Sequence, residues 1–185
     1  MRIQKILIYV LFVFVFISCT KKVNEPEQKL NGELSINYQI DDYDHPITIW
    51  LEDENKNYYT TLFVCEWLSL EGYRNEKVCP VWSNLSNWGD ETETIIDAVT
   101  RATPQIDSHQ LVLDCEKEKI IHGQYNYNIE AYINGRYNIL YSGSIVIGNE
   151  PDSSHATVTY YPSIYPDTSK ANFLNNVSAF YKVKN

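Results

Sequence analysis

Basic residues are scarce in this chain. Fifteen Lys and Arg face 24 Asp and Glu, for a formal net charge of −9 over 185 residues. Phosphate binding needs clustered Lys and Arg, so this balance argues against a nucleic-acid partner and against a domain lying flat on an anionic membrane. Only four histidines and four cysteines occur, and none has the His-Glu-x-x-His or Cys-x-x-Cys spacing of a zinc site. Asp41, Asp42, Asp44 and His45 gather at a strand end and read as a solvated turn rather than a calcium loop. There is no Gly-x-Ser-x-Gly elbow and no glycine-rich phosphate loop. Nothing in the sequence brings any two of Glu52, Asp97 and Asp114 together as acid and base. No catalytic constellation emerges, no metal site is expected, and long amphipathic helices and internal repeats are missing.

What is present begins with a leader. Arg2 and Lys5 precede an apolar run from Ile6 to Ile17, followed by Ser18-Cys19. Twelve helical residues rise about 18 Å, short of the roughly 30 Å hydrocarbon core of a bilayer. A charged start, a short apolar stretch and small residues at its end read as a secretory signal over residues 1–18. Ser18-Cys19 resembles a bacterial lipobox, which implies cleavage before Cys19 and lipid on that residue, in the cell envelope and facing the periplasm. Several acyl chains on Cys19 anchor stably where one would not. Residues 19–29 are polar and serve as a flexible tether. Loss of Arg2 and Lys5 moves the net charge from −9 to −11, and the 167 residues left suffice for one domain, placed at 30–183.

Period-two alternation dominates that domain. Leu34, Ile36, Tyr38 and Ile40 alternate with polar residues, and residues 46–64 read as a hairpin about Asp53–Asn57. A short strand over Gln110–Leu113 ends in a charged turn at Glu116–Lys119. Tyr125 to Ile133 alternates again, and Asn134-Gly135 is suited to a tight type I′ turn into a return strand with a bulge expected at Gly143. Residues 155–161 and 177–183 complete about eight strands. The fold class is therefore all-β, a sandwich. Fifteen tyrosines suit pleated faces whose hydroxyls stay wet.

Residues 65–107 break the alternation as a long, aromatic-rich loop insertion, a kind of segment that tends to be functional. It holds Trp67, Tyr73, Trp82 and Trp88, which either pack the segment onto one end of the sandwich or form a ligand platform. Cys65 and Cys79 can close a loop of 15 residues, worth about 3 kcal/mol in the chain-entropy account; the alternative is that Cys65, Cys79 and Cys115 all stay free and buried.

Ile47-Thr48-Ile49-Trp50-Leu51-Glu52-Asp53, Tyr59-Thr60-Thr61-Leu62, Trp82, Leu111-Val112-Leu113-Asp114 and Gly123-Gln124-Tyr125 follow one another in the order of the landmarks of domain-of-unknown-function family 2271. The resemblance to these predicted periplasmic proteins covers residues 34–147. It implies an immunoglobulin-like β-sandwich and an association with envelope flavin- or iron-dependent redox proteins. Asp97-Ala98-Val99-Thr100-Arg101-Ala102-Thr103 also resembles the motif Asp-x-x-Ser/Thr-Gly-Ala-Ser/Thr on which extracytoplasmic flavin transferases esterify FMN. That implies covalent FMN on Thr103, with Asp97, Thr100 and Ala102 as recognition positions and a flavin transferase as partner. Arg101 replaces the motif's glycine, and Leu113-Asp114-Cys115 replaces the family's Trp-Asp-Gly. The bottom-up reading of the same stretch is an exposed Thr-rich loop, with Pro104 holding Thr103 extended. The alternative function is a non-catalytic envelope module that recognises a protein or glycan through residues 65–107.

Overall fold

The computed structural model describes residues 31–41, 45–133, 137–161 and 173–184. The leader, Cys19, the tether, Asp42, Asp44 and the Asn134-Gly135 turn lie outside them. Among the described residues ten strands form two sheets. One has four strands in the order β5-β1-β10-β8, with β1 at Gly32–Ile40, β5 at Asp107–Asp114, β8 at Asp152–His155 and β10 at Leu174–Val183. The other has six in the order β4-β3-β2-β6-β7-β9, with β2 at Ile47–Asp53, β3 at Tyr58–Cys65, β4 at Thr100–Arg101, β6 at Gly123–Ile133, β7 at Tyr137–Ile147 and β9 at Thr157–Tyr161. All pairings are antiparallel except β3 with β4.

The expected hairpin over 46–64 forms as β2 and β3. Its turn is held by Asp53, whose Oδ1 accepts from the backbone of Asn55 and Asn57. The Asn57 side-chain amide donates to Oδ2 of Asp53, and that bond first, with the two backbone bonds, keeps the carboxyl below its ordinary pKa. The single strand expected at 155–161 is instead two. β8 pairs with β10 in one sheet, β9 pairs with β7 in the other, and the chain changes sheets at Ala156, whose amide donates to the Val177 carbonyl. No bulge occurs at Gly143: the register of β6 and β7 runs unbroken through Tyr127↔Gly143. Glycine is needed for another reason, since a Cβ there would stand 2.3 Å from the Tyr127 hydroxyl.

The inner faces meet in the ordinary way, with Leu34, Ile36 and Ile40 of β1 buried with Ile47, Ile49 and Leu51 of β2 and Ile129 of β6. Tyrosines tie the layers together at their polar ends. The Tyr127 hydroxyl donates to the Ser154 carbonyl (3.1 Å) and that of Tyr181 to the Gly148 carbonyl (2.8 Å). The Tyr141 hydroxyl accepts from the Leu174 amide (3.0 Å). Each ring fills core volume while its oxygen closes a backbone group that would otherwise be buried without a partner.

Residues 65–107 are not an unpatterned loop. They form α1 (Glu66–Leu70), α2 (Pro80–Ser86), α3 (Glu93–Val99), two single 3₁₀ turns and β4. Helices of five to seven residues carry too few turns for a readable apolar stripe, and isolated ones this short are unstable without packing. Local signals are there in retrospect. Pro80 sits in the first turn of α2, and the Thr92 side chain caps α3 by accepting from the Ile95 amide.

The insertion folds over the outer face of the six-stranded sheet. Along β6 the residues opposite the core, Asn128 and Glu130, are buried, and Trp50 of β2 beside Asn128 is wholly buried. β2 is covered on both faces almost throughout. Among the described residues there are therefore three layers over this sheet and two elsewhere.

Candidate functional site

Two buried polar side chains of the sheet hold the insertion. The Glu130 carboxylate accepts from the backbone amides of Trp82 (2.9 Å) and Val81 (3.3 Å) at the start of α2. Asn138 accepts from the Cys79 amide and donates to the Lys77 carbonyl, both at 2.9 Å. Together they fix the approach to α2, where Cys79 takes a left-handed backbone (φ 43°). Burial pushes the Glu130 carboxyl up to about 7, with the two amides pulling the other way.

The tryptophans divide. Trp82 and Trp88 are buried, with ring centroids 5.0 Å apart. The Trp82 indole donates to Thr61 Oγ1 (2.9 Å) and the Trp88 indole to the Ser69 carbonyl (3.0 Å). They pack the insertion and form no platform. Tyr73 is half-buried, with the Arg74 guanidinium 5.2 Å from its ring centroid. Trp67 alone of the three is 44% exposed. The bridge between Cys65 and Cys79 is absent. Both are free, buried thiols, as is Cys115, and burial raises the pKa of all three. Neutral thiols buried this way are inert rather than nucleophilic.

The segment 97–103 runs from the last turn of α3 into β4. Asp97 is exposed, and an acid in the last turn works against the helix dipole, so its presence is not explained by helix stability. Thr100 and Arg101 pair in parallel with Val64 and Cys65, at the open edge of the sheet. Thr100 Oγ1 hydrogen-bonds Ser69 Oγ at 2.9 Å. Thr103 is half-buried rather than exposed, with its side chain toward the Cys65 thiol. Arg101 is exposed and donates to the Thr100 carbonyl at 2.9 Å. Its backbone is that of a strand with no positive φ, so this position has no need of glycine here. Asp97, Thr100, Arg101 and Ala102 line an open groove of about 410 Å³ with Glu66, Leu70 and Ile96.

Elsewhere the expected residues stay apart. Glu52 accepts from the Trp50 indole (3.0 Å), while Asp114 pairs with Lys184 (2.6 Å). Asp41 accepts from Gln39 at 2.7 Å and also from Asn175. Among the described residues no three His, Cys, Asp or Glu come close enough to share a metal ion. The anchoring pair Glu130 and Asn138 was not visible as functional, because each sits at a polar position of an alternating strand that reads as solvent-facing.

Fold and site define a two-sheet β-sandwich with a helical insertion covering one sheet and an open groove at that sheet's edge. The model of the family of predicted periplasmic proteins DUF2271 matches residues 29–159, and the chain belongs to that family. No curated protein and no solved structure gives a match.

Proposed function

We propose that the protein is a lipid-anchored accessory protein of the bacterial envelope that carries FMN on Thr103 and serves flavin- or iron-dependent electron transfer there. The supporting observation is the placement of Asp97, Thr100, Arg101 and Ala102 along an open groove, with Thr103 the next residue, at a sheet edge where only two residues are paired. A two-residue edge strand gives up little on peeling away, and a thiol is a weak hydrogen-bonding neighbour for Thr103 to leave. The segment can thus enter a transferase cleft without unfolding the sandwich. In that step the Thr103 oxygen bonds to the flavin-side phosphorus of a flavin dinucleotide. The phosphoanhydride breaks, AMP leaves, and the hydroxyl proton passes to a base of the transferase. The chain's own residues fit the product: Arg101 is two positions from the phosphodiester charge, and Leu70, Ile96 and Ala102 give the groove apolar surface. Bound there, FMN supplies the redox chemistry and the protein its placement.

Co-expression with a flavin transferase tests this. The expected intact mass is that of the chain plus one FMN less water, with in-gel flavin fluorescence that Thr103→Ala abolishes. An unmodified mass would refute it. Anchoring is read separately: a palmitate analogue should label the protein and fail to label Cys19→Ser.

A second reading is favoured by Trp67, Leu70 (55% exposed) and Ile95 (43% exposed) on α1 and α3. It is a non-catalytic module that docks an envelope protein on these side chains. Loss of a cross-linked partner on Leu70→Asp, with flavin mass unchanged at zero, would select it over the first.

A further inference from the structure

The four-stranded sheet presents a different outer face, and its register fixes what that face carries. Residues 35, 37 and 39 of β1 point away from the core. Asn37 lies between Gln110 of β5 and Ser178 of β10, and Gln39 between Ser108 and Asn175. The next row places Ser35 between Val112 and Phe180. β10 bulges against β1 between Asn37 and Gln39, and Asn176 at the bulge takes a left-handed backbone (φ 54°). That conformation is tolerated by Asn, and a bulge of this kind re-aims a side chain. Here it brings the Asn176 amide to donate to Gln39 Oε1 at 3.3 Å. The result is a groove of about 340 Å³ lined by Asn37, Gln39, Ser108, Gln110 and Asn176. Tyr38 and His109 border it from the other face of the strands, where their rings stack 5.2 Å apart.

We propose that this face binds a neutral oligosaccharide, with the groove amides pairing its hydroxyls and the Phe180 ring lying under one sugar face. Three observations carry the assignment. First, every outward side chain of the groove is an amide or a hydroxyl, able both to donate and to accept, as each sugar hydroxyl also must. Second, among the described residues the lining holds no carboxylate, Lys or Arg, although charged residues make up 21% of the chain. The adjacent Asp41 is already held by Gln39 and Asn175. The next charges of this face, Lys182 and Glu33 beyond Phe180, already pair with each other at 2.6 Å, so a neutral ligand suits the groove better than an ionic one. Third, Phe180 is 48% exposed, and both its cross-strand neighbours are serines, Ser35 and Ser153. The ring thus has only small residues directly opposite it and lies one row, roughly 7 Å, from the amides. Val112, 47% exposed beyond Ser35, extends the apolar strip. A cleft of this size falls within the roughly 300–1,000 Å³ of small-molecule sites. The site belongs to the other sheet from Thr103 and holds whether or not that residue carries FMN.

The full-length protein in mild detergent is titrated with cellohexaose, maltohexaose and mannohexaose, with hexagalacturonate as the charged control, while side-chain amide resonances are followed by NMR. At least one neutral hexaose at millimolar concentration should shift the amide signals of Asn37, Gln39, Gln110 and Asn176, and hexagalacturonate should not. Gln110→Ala and Phe180→Ala should each weaken that binding by about tenfold or more at an unchanged urea midpoint, while Trp67→Ala leaves it intact. The proposal is overturned if no neutral hexaose shifts these amides, if the charged control binds as well, or if both variants bind as the parent does.

Discussion

The outer faces of the two sheets are built from similar alternating strands and end in opposite states. On the six-stranded sheet the outward positions Trp50, Asn128 and Glu130 lie under the helical insertion, wholly or almost wholly buried. On the four-stranded sheet the outward positions Gln110, Val112 and Phe180 meet solvent. The same sequence rhythm thus makes a second packed layer in one place and a polar platform in the other. The difference lies in what is laid on top. Trp82 and Trp88 supply the covering bulk, and Glu130 and Asn138 supply the bonds that position it.

The strongest way to break the contrast is to remove the covering layer's anchor. Trp82→Ala deletes a fully buried ring and its bond to Thr61, and should cost about 3–5 kcal/mol in urea unfolding. A similar loss from Phe180→Ala would erase the distinction between the faces. Next comes pH. Burial holds the Glu130 carboxyl at about 7 in the folded protein, against an ordinary glutamate value of about 4.3 in the unfolded chain. The fold therefore binds this proton more tightly than the unfolded chain does. Its contribution is fully present below the unfolded value and is lost as pH rises through about 7, roughly 4 kcal/mol in all. Urea midpoints measured from pH 4 to 8 (about the range in question) should decline in the parent and flatten in Glu130→Gln; parallel profiles would refute the assignment.

The inner face offers a control that concerns neither covering. Gly143→Ala drives a Cβ into the Tyr127 ring and should cost about 1–3 kcal/mol. A neutral result would mean the ring moves freely and the tie from Tyr127 to Ser154 is dispensable. The smallest effect is expected on the open platform, where Phe180→Ala should change stability by no more than about 0.5 kcal/mol.

Much of this was legible in the chain. The hairpin about Asp53–Asn57, the strand at Leu34–Ile40 and the long strands after Gly123 each follow from period-two alternation and turn residues within a few positions. The candidate site was legible as a string, Asp97 to Thr103, but not as a place. That Thr100 would pair with Val64, and Thr103 turn toward Cys65, depends on a β-bridge closed across more than thirty residues. The three short helices were missed because five to seven residues carry no dependable period. The sheet change at Ala156 was missed because alternation continues through it while the bonding partners switch.

By itself, then, the sequence determined an all-β chain with one aromatic-rich insertion and an acidic balance, since strand period, turn chemistry and net charge are local or additive properties. Only the tertiary structure decided which outward face is covered. Glu130 and Gln110 occupy equivalent polar positions of alternating strands, and one is buried because two backbone amides from a helix almost fifty residues earlier close on its carboxylate. Burial of a polar group is settled by the partner that arrives to satisfy it, and that partner is not written in the strand.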